Sequence, residues 1–286
     1  MTHTHQTAPT QFVEANGIRF AYRRFGKPGG VPLLFNQHFT GTMDHWDPAV
    51  TDGFAKHREV ILFNNAGISS SSGEVPTSIE GMAANAIAFI EALGLSKVDA
   101  GFLHRWLRRA GDRRPGASPR AQAGPCRDRT TRGRGYGQSD AEAQQIFGAS
   151  YEDPDHLWLA VHFTRSEASQ AAARDFLERF RLRKENRDPE VNEKVAPAQL
   201  EALSKWGIRF KGSYDYLASI RQPTVVVNGG NDVIIYAVNS FILQQHLPNA
   251  ELILYPDANH GSQYQYPERF IHHVSMFLSA DERRGV

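Results

Sequence analysis

Two side chains in the C-terminal third have the type and setting for acid–base chemistry. Asp232 ends the run Gly229-Gly230-Asn231-Asp232, directly after the apolar stretch PTVVVN (Pro223 to Asn228). His260 lies in Pro256-Asp257-Ala258-Asn259-His260-Gly261, directly after LILY (Leu252 to Tyr255). A histidine near neutral pKa serves as a general base, and a carboxylate that holds its tautomer is what activation of a serine hydroxyl requires. Most loop Asp and His residues are merely solvated. Two of them just past the C-terminal ends of consecutive strands, where α/β sheets place their sites, read as a pair. Asp257 is the alternative carboxylate, although turning its own loop suits it better. The serines Ser69 to Ser72 lack a strand–Gly-x-Ser-x-Gly–helix context and read as turn residues.

The elements that must hold this pair follow an α/β rhythm. Phe12 to Ala15 and Ile18 to Phe25 flank Asn16-Gly17, a hairpin signal because both turn residues must tolerate positive φ. VPLLFN (Val31 to Asn36) and EVILFN (Glu59 to Asn64) are continuous apolar runs, as expected of strands buried on both faces. A helix is predicted around Asp47 to His57. A second opens at Ser78 with Met82, Ala86, Phe89, Ile90 and Leu93 at helical spacing, and Gly94 ends it. Lys97-Val98-Asp99 then reads as a further strand. After residue 213 the rhythm resumes, with helices at Ala237 to His246 and Pro267 to Ser279 around the two strands that carry Asp232 and His260. Strand–helix alternation implies a mostly parallel sheet with right-handed crossovers and helices on both faces. Between the blocks, Ala141 to Lys211 is helical in composition and reads as a cap inserted into the core.

The expected organisation is therefore a disordered tail at 1–10, an α/β core at 11–137, a helical cap at 138–213 and the rest of the core at 214–286. At 286 residues with 41% hydrophobic content the chain has material for one large α/β domain. A net charge of +1 gives no reason to expect a nucleic-acid or membrane partner. The one cysteine, Cys126, excludes an internal disulfide and a multi-cysteine zinc site. The opening MTHTHQTAPT has no apolar run and reads neither as signal peptide nor as anchor, so a cytoplasmic location is expected.

One stretch breaks the pattern. Leu103 to Gly135 holds ten arginines, and no Val or Ile occurs between Val98 and Ile146, where a βαβ rhythm requires a buried helix and a central strand. An Arg/Gly-rich segment also fits a solvated basic loop or a nucleic-acid-binding run. A shifted reading frame explains more. Back-translated one base later, with third bases free, Leu103 to Arg109 yields Ser-Ile-Gly-Gly-Phe-Val, so the chain from Gly101 spells GFSIGGFV. Gln122 to Gly137 in that frame yields HKLVLAGTGPRGGEGMG, an apolar strand and a glycine-rich turn. Compensating frameshifts near Gly101 and Tyr136 follow as the hypothesis.

A restored Gly-x-Ser-x-Gly after a strand is a nucleophile elbow. Its small flanking residues permit a sharp turn that lifts the hydroxyl clear of the sheet, with backbone N–H groups aimed at the developing oxyanion. On these residues the chain resembles the α/β-hydrolase superfamily, in its small esterase, lactonase and cofactor-free haloperoxidase-like branch. The resemblance covers Phe12 to Gly94 and Tyr214 to Leu278, and Asp232 and His260 follow in the family's order of nucleophile, acid, histidine. It implies that Leu103 stands at the nucleophile position and that Phe39 supplies one oxyanion-hole N–H. The family usually shows His-Gly-x there; this chain has Gln37-His38-Phe39-Thr40-Gly41, a departure. His38 is a possible substrate contact, with a structural hydrogen bond as its other role. His45 and Trp46 match a loop-to-helix turn, and Asn64-Asn65-Ala66-Gly67 matches the family's pocket-shaping loop.

The implied function is hydrolysis of a small-molecule carboxylic ester or lactone by acyl-enzyme chemistry, without cofactor or metal and with little activity as written. C–C hydrolysis, haloperoxidase-like activity and a catalytically dead ligand-binding scaffold are the alternatives. Trp158, Phe163 and Trp206 in the cap suggest an apolar or aromatic pocket, with packing as their simpler role.

Overall fold

The computed structural model describes residues 3–101, 136–206 and 214–284. The Arg-rich stretch and Leu103 thus lie outside the described residues. In chain order the elements begin with β1 (Gln11–Ala15), β2 (Ile18–Gly26), β3 (Leu33–Phe35), α1 (Pro48–Ala55), β4 (Glu59–Phe63), α2 (Ile79–Ala92) and β5 (Asp99–Gly101). They continue with α3 (Tyr136–Gly148), α4 (Pro154–His162), α5 (Glu167–Phe180), α6 (Val195–Trp206), β6 (Thr224–Gly229), α7 (Ala237–His246), β7 (Ala250–Tyr255), α8 (Ser262–Gln265) and α9 (Pro267–Arg284). They form two compact units, one from residues 3–101 and 180–206, the other from 136–179 and 214–284.

In the first unit five strands lie in the order β1-β2-β4-β3-β5. β1 and β2 form the hairpin, with Asn16 at φ 50 and Gly17 at φ 75, the left-handed pair that an Asn-Gly turn supplies. β2 runs antiparallel to β4, and β3 is parallel to both β4 and β5. Successive strand residues face opposite ways, so Leu34 and Phe35 serve different cores. Leu34 joins Phe20, Ile61 and Phe63 against Phe89 and Ile90 of α2. Phe35 packs edge-on to Trp46, and Phe54 of α1 lies beside it on the opposite face. Both helices start on side-chain caps: Asp47 accepts from the Ala49 amide at 2.8 Å and Ser78 from Gly81 at 3.1 Å. The strand expected at Lys97-Val98-Asp99 sits two residues later, because pairing of Leu33 with Asp99 and Phe35 with Gly101 sets the register.

The expected disordered tail is overturned over residues 5–8. His5 and Ala8 are buried. The Arg183 guanidinium donates to the carbonyls of His5, Gln6 and Ala8 at 2.8, 3.0 and 3.0 Å. The His5 amide donates to Asp52 at 2.7 Å, and its Nδ1 lies 2.9 Å from Thr51 Oγ1. Beside them the fully buried Arg23 pairs with Asp44 and lies 3.8 Å from Asp188, so buried charge is matched on this face.

Burial pushes His5 down to about 3, even against the attraction of Asp44, and pushes His45 down to about 3 as well. Each stays neutral in the folded chain while the unfolded chain takes up a proton below 6.5, so stability rises with pH between about 3 and 6.5. Each histidine is expected to remove about 2 kcal/mol on going from neutral pH to about pH 5. Urea midpoints measured across this range check it: His5→Gln should make the profile shallower, and an unchanged profile would remove His5 from the account.

In the second unit β6 and β7 pair in parallel over six residues, Thr224 with Ala250 through Gly229 with Tyr255, and α7 connects them and packs on both. The span 138–213 expected as one cap is divided: α3 to α5 belong to this unit and α6 to the first. No helix among the described residues is long and apolar enough to cross a membrane.

Candidate active site

Parallel pairing of β6 and β7 brings their C-terminal loops to one edge, and backbone hydrogen bonds stitch those loops together. The Gly230 amide donates to Tyr255 O at 2.8 Å and the Asn231 amide to Ala258 O at 2.9 Å. The Val233 amide donates to Asn259 Oδ1 at 3.0 Å. A Cβ at Gly229 would lie 2.2 Å from the carbonyl oxygens of both Ala258 and Asn259, so the approach is open to glycine alone.

On this frame His260 Nδ1 sits 2.9 Å from Asp232 Oδ2. The other carboxylate oxygen, Oδ1, accepts from the Ile234 and Ile235 amides, each at 2.8 Å. The Asp232 side chain has no exposed surface, and that of His260 is 13% exposed. With its carboxylate fixed by two amides, Asp232 accepts a hydrogen bond from the imidazole Nδ1–H, the tautomer in which Nε2 carries the lone pair that a general base uses. The pair predicted from sequence is together.

Asp257 is turned elsewhere. Its carboxylate accepts the hydroxyls of Ser166 at 2.5 Å and Thr164 at 2.7 Å, and these bonds hold it below the usual carboxylate range. At φ 48 it also makes the turn that its loop position suggested. Phe163 is buried against Phe176. Trp158 stacks on His162 at 4.6 Å, and Trp206 ends α6 in the other unit. His162 is a neighbour the sequence gave no reason to pick. Its ring lies 5.8 Å from that of His260, and its carbonyl accepts the Gly261 amide at 2.9 Å. The i, i+4 spacing of Trp158 and His162 on one helix face was the only local signal.

Replacing Gly229 by Ala should push the two loops apart and break the Asp232–His260 hydrogen bond. Loss of the downfield imidazole N–H proton resonance is the readout; its persistence would show that the loops absorb the methyl group.

In the first unit the loop after β3 carries Phe39, which is 40% exposed. The Phe39 N–H donates to no group among the described residues. The His38 ring donates through Nδ1 to Phe39 O at 2.8 Å, a structural hydrogen bond, and covers Gly41, where a Cβ would come within 2.6 Å of the ring. His45 Nδ1 accepts the Thr42 amide at 2.8 Å. Asn64 Oδ1 accepts the Met43 amide at 3.0 Å, which fixes the loop after β4 to the loop after β3. Ser71 and Ser72 accept from the β2 amides of Ala21 and Arg19, work that fits turn residues. Among the described residues no three His, Cys, Asp or Glu side chains gather as a metal site.

No protein-family profile matches the chain. A stretch of 78 residues is 36% identical to a pimeloyl-[acyl-carrier protein] methyl ester esterase of Nitrosomonas europaea, covering 26% of this chain. The match spans 29% of that curated relative's length. An N-acyl homoserine lactone degrading enzyme, Est816, superposes with a TM-score of 0.58 at 20% identity, covering 93% of this chain and 100% of the other. An α/β hydrolase fold protein from Chitinophaga pinensis superposes with a TM-score of 0.78 over 96% of this chain and 99% of its own. That relative is 33% identical along nearly its whole length, and through it this chain belongs to the α/β-hydrolase fold family.

Proposed function

We propose that the parent enzyme hydrolyses a small-molecule carboxylic ester or lactone through an acyl-enzyme, and that this chain is its nucleophile-less, nearly inactive copy, acting in the cytoplasm. The observation that carries the reading is the 2.9 Å hydrogen bond between His260 Nδ1 and the buried Asp232 carboxylate. In the parent, a serine where Leu103 now stands loses its proton to His260 Nε2 as its oxygen attacks the carbonyl carbon. Asp232 stabilises the imidazolium, and the Phe39 N–H donates to the tetrahedral oxyanion. The imidazolium protonates the leaving alkoxide. Water, deprotonated in turn by His260, adds to the acyl carbon; the C–O bond to serine then breaks, releasing the acid, and the imidazolium returns its proton to the serine oxygen. The named activities of the relatives, a methyl ester esterase and a lactone-degrading enzyme, support this substrate class.

Sequencing the encoding DNA from the Val98 codon through the Gln138 codon tests the reading. An uninterrupted alternative frame through Phe-Ser-x-Gly-Gly makes the parent a serine hydrolase, and correcting both indels should then restore turnover of a chromogenic ester. Absence of that frame makes this chain a genuine nucleophile-less relative, to be studied by ligand binding.

A further inference from the structure

We propose that Gln199 of α6 is a positioning residue that sets the conformation of the oxyanion-binding turn after β3. The inference rests on the reading of the Phe39 N–H as an oxyanion donor. The Gly41 amide donates to His38 O at 2.9 Å and closes a four-residue turn over 38–41. Within it Thr40 has φ 54, while Phe39 is not among the residues of positive φ. A turn with positive φ at its third residue alone is type II, and glycine is the residue that takes this position readily. Threonine is poorly suited to it because of its branched Cβ. Glycine comes one residue later in this chain, at Gly41, where the His38 ring covers it.

The turn is held in this form by bonds to both ends of the Phe39–Thr40 peptide. Its carbonyl receives His38 Nδ1–H and the Thr40 hydroxyl, each at 2.8 Å. Its N–H, that of Thr40, donates to Gln199 Oε1 at 2.7 Å. Gln199 comes from a helix tied further along by Lys205 Nζ donating to Thr77 O at 3.4 Å. Types I and II of this turn differ by a flip of that central peptide, and type I returns the third residue to negative φ. Without the Gln199 acceptor the Thr40 N–H loses its partner and the flip relieves the threonine. The Phe39–Thr40 peptide shares the Phe39 Cα with the free N–H, so reversing its dipole reverses the sign of its contribution at an anion held there.

The experiment uses the full chain as it stands, labelled with nitrogen-15, and sodium butyrate as the probe for a carboxylate oxygen in the oxyanion position. In the unsubstituted chain butyrate should shift the Phe39 amide. In Gln199→Leu the Thr40 HN–Hα coupling should move to its negative-φ value and the butyrate Kd should rise about tenfold, the scale of one charge-assisted hydrogen bond lost. Thr40→Gly combined with Gln199→Leu should restore binding to within about twofold, because glycine holds positive φ unaided. A role for Gln199 confined to anchoring α6 would give no such rescue. Unchanged coupling and affinity in Gln199→Leu, or failure of the double variant to recover, overturns the proposal. Should Gln199→Leu fail to fold, Gln199→Glu, which keeps the acceptor, must retain the unsubstituted chain's coupling at Thr40, and its loss sinks the idea equally. If butyrate leaves the Phe39 amide of the unsubstituted chain unmoved, the oxyanion assignment itself falls, a result distinct from failure of the Gln199 variants.

Discussion

Correcting the reading frame, so that Gly-x-Ser-x-Gly follows β5, is expected to raise p-nitrophenyl butyrate turnover by about 10⁶ over the chain as written. The magnitude follows from what each chain is able to do. In the proposed reading Leu103 holds the nucleophile position, and a leucine side chain has no lone pair with which to attack a carbonyl, so the chain as written would have no acyl-enzyme route. What remains is stabilisation of an oxyanion formed by attack of water, on the order of 10³ over the uncatalysed rate. With the serine present, His260 has a proton to take, and the imidazolium so formed faces a carboxylate already in place at 2.9 Å. Steady-state rates on the two purified chains, with an initial burst of p-nitrophenol for the acyl-enzyme, are the check. Equal rates would remove serine catalysis from the account of this protein.

Asp232→Asn in the frame-corrected chain should lower kcat by about 10⁴, with little change in thermal midpoint. The amides of Ile234 and Ile235 both point at Oδ1 and demand an acceptor. The carboxamide oxygen of the variant must stay with them, which turns its NH₂ toward His260 Nδ1. Two donors cannot face each other, so Nδ1 gives up its proton to become the acceptor, and Nε2 carries the hydrogen instead. A base protonated at its working atom cannot accept from serine. Nitrogen-15 shifts of the His260 ring report this tautomer exchange even in the chain as written. An unchanged Nδ1–H would show that the side chain flips and that the two amides do not dictate its orientation.

Much of this was legible in the sequence where the physics is local. Asn16-Gly17 specifies its turn by the two residues themselves, and the apolar run around Leu33 to Phe35 reads as buried because both faces are. That Asp232 and His260 lie together was legible because paired parallel strands bring their C-terminal loops to one edge. What escaped was set at long range. The polar opening of the chain gives no hint that Arg183 will clasp the carbonyls of His5, Gln6 and Ala8. Helical composition marks 141–211 as a helical stretch without saying which core receives α6. The register of β5 was decided by its partner strand, two residues away from where its own apolar residues placed it. Gln199 was equally invisible, since nothing near residue 40 announces an acceptor from residue 199.

The stitching of the β6 and β7 loops also bears on how such a protein changes over generations. Among the described residues, every hydrogen bond to the Asp232 carboxylate comes from residues 234, 235 and 260. The proposed acid–base pair is thus encoded in a short stretch of gene that the Arg-rich segment does not overlap. On the proposal that two indels removed the nucleophile, the remainder was kept, and two compensating indels would suffice for reversion. On the same proposal, a second hydroxyl-bearing side chain presented to His260 Nε2 by a different loop would meet the same base, a starting point for re-evolving a hydrolase from a new nucleophile.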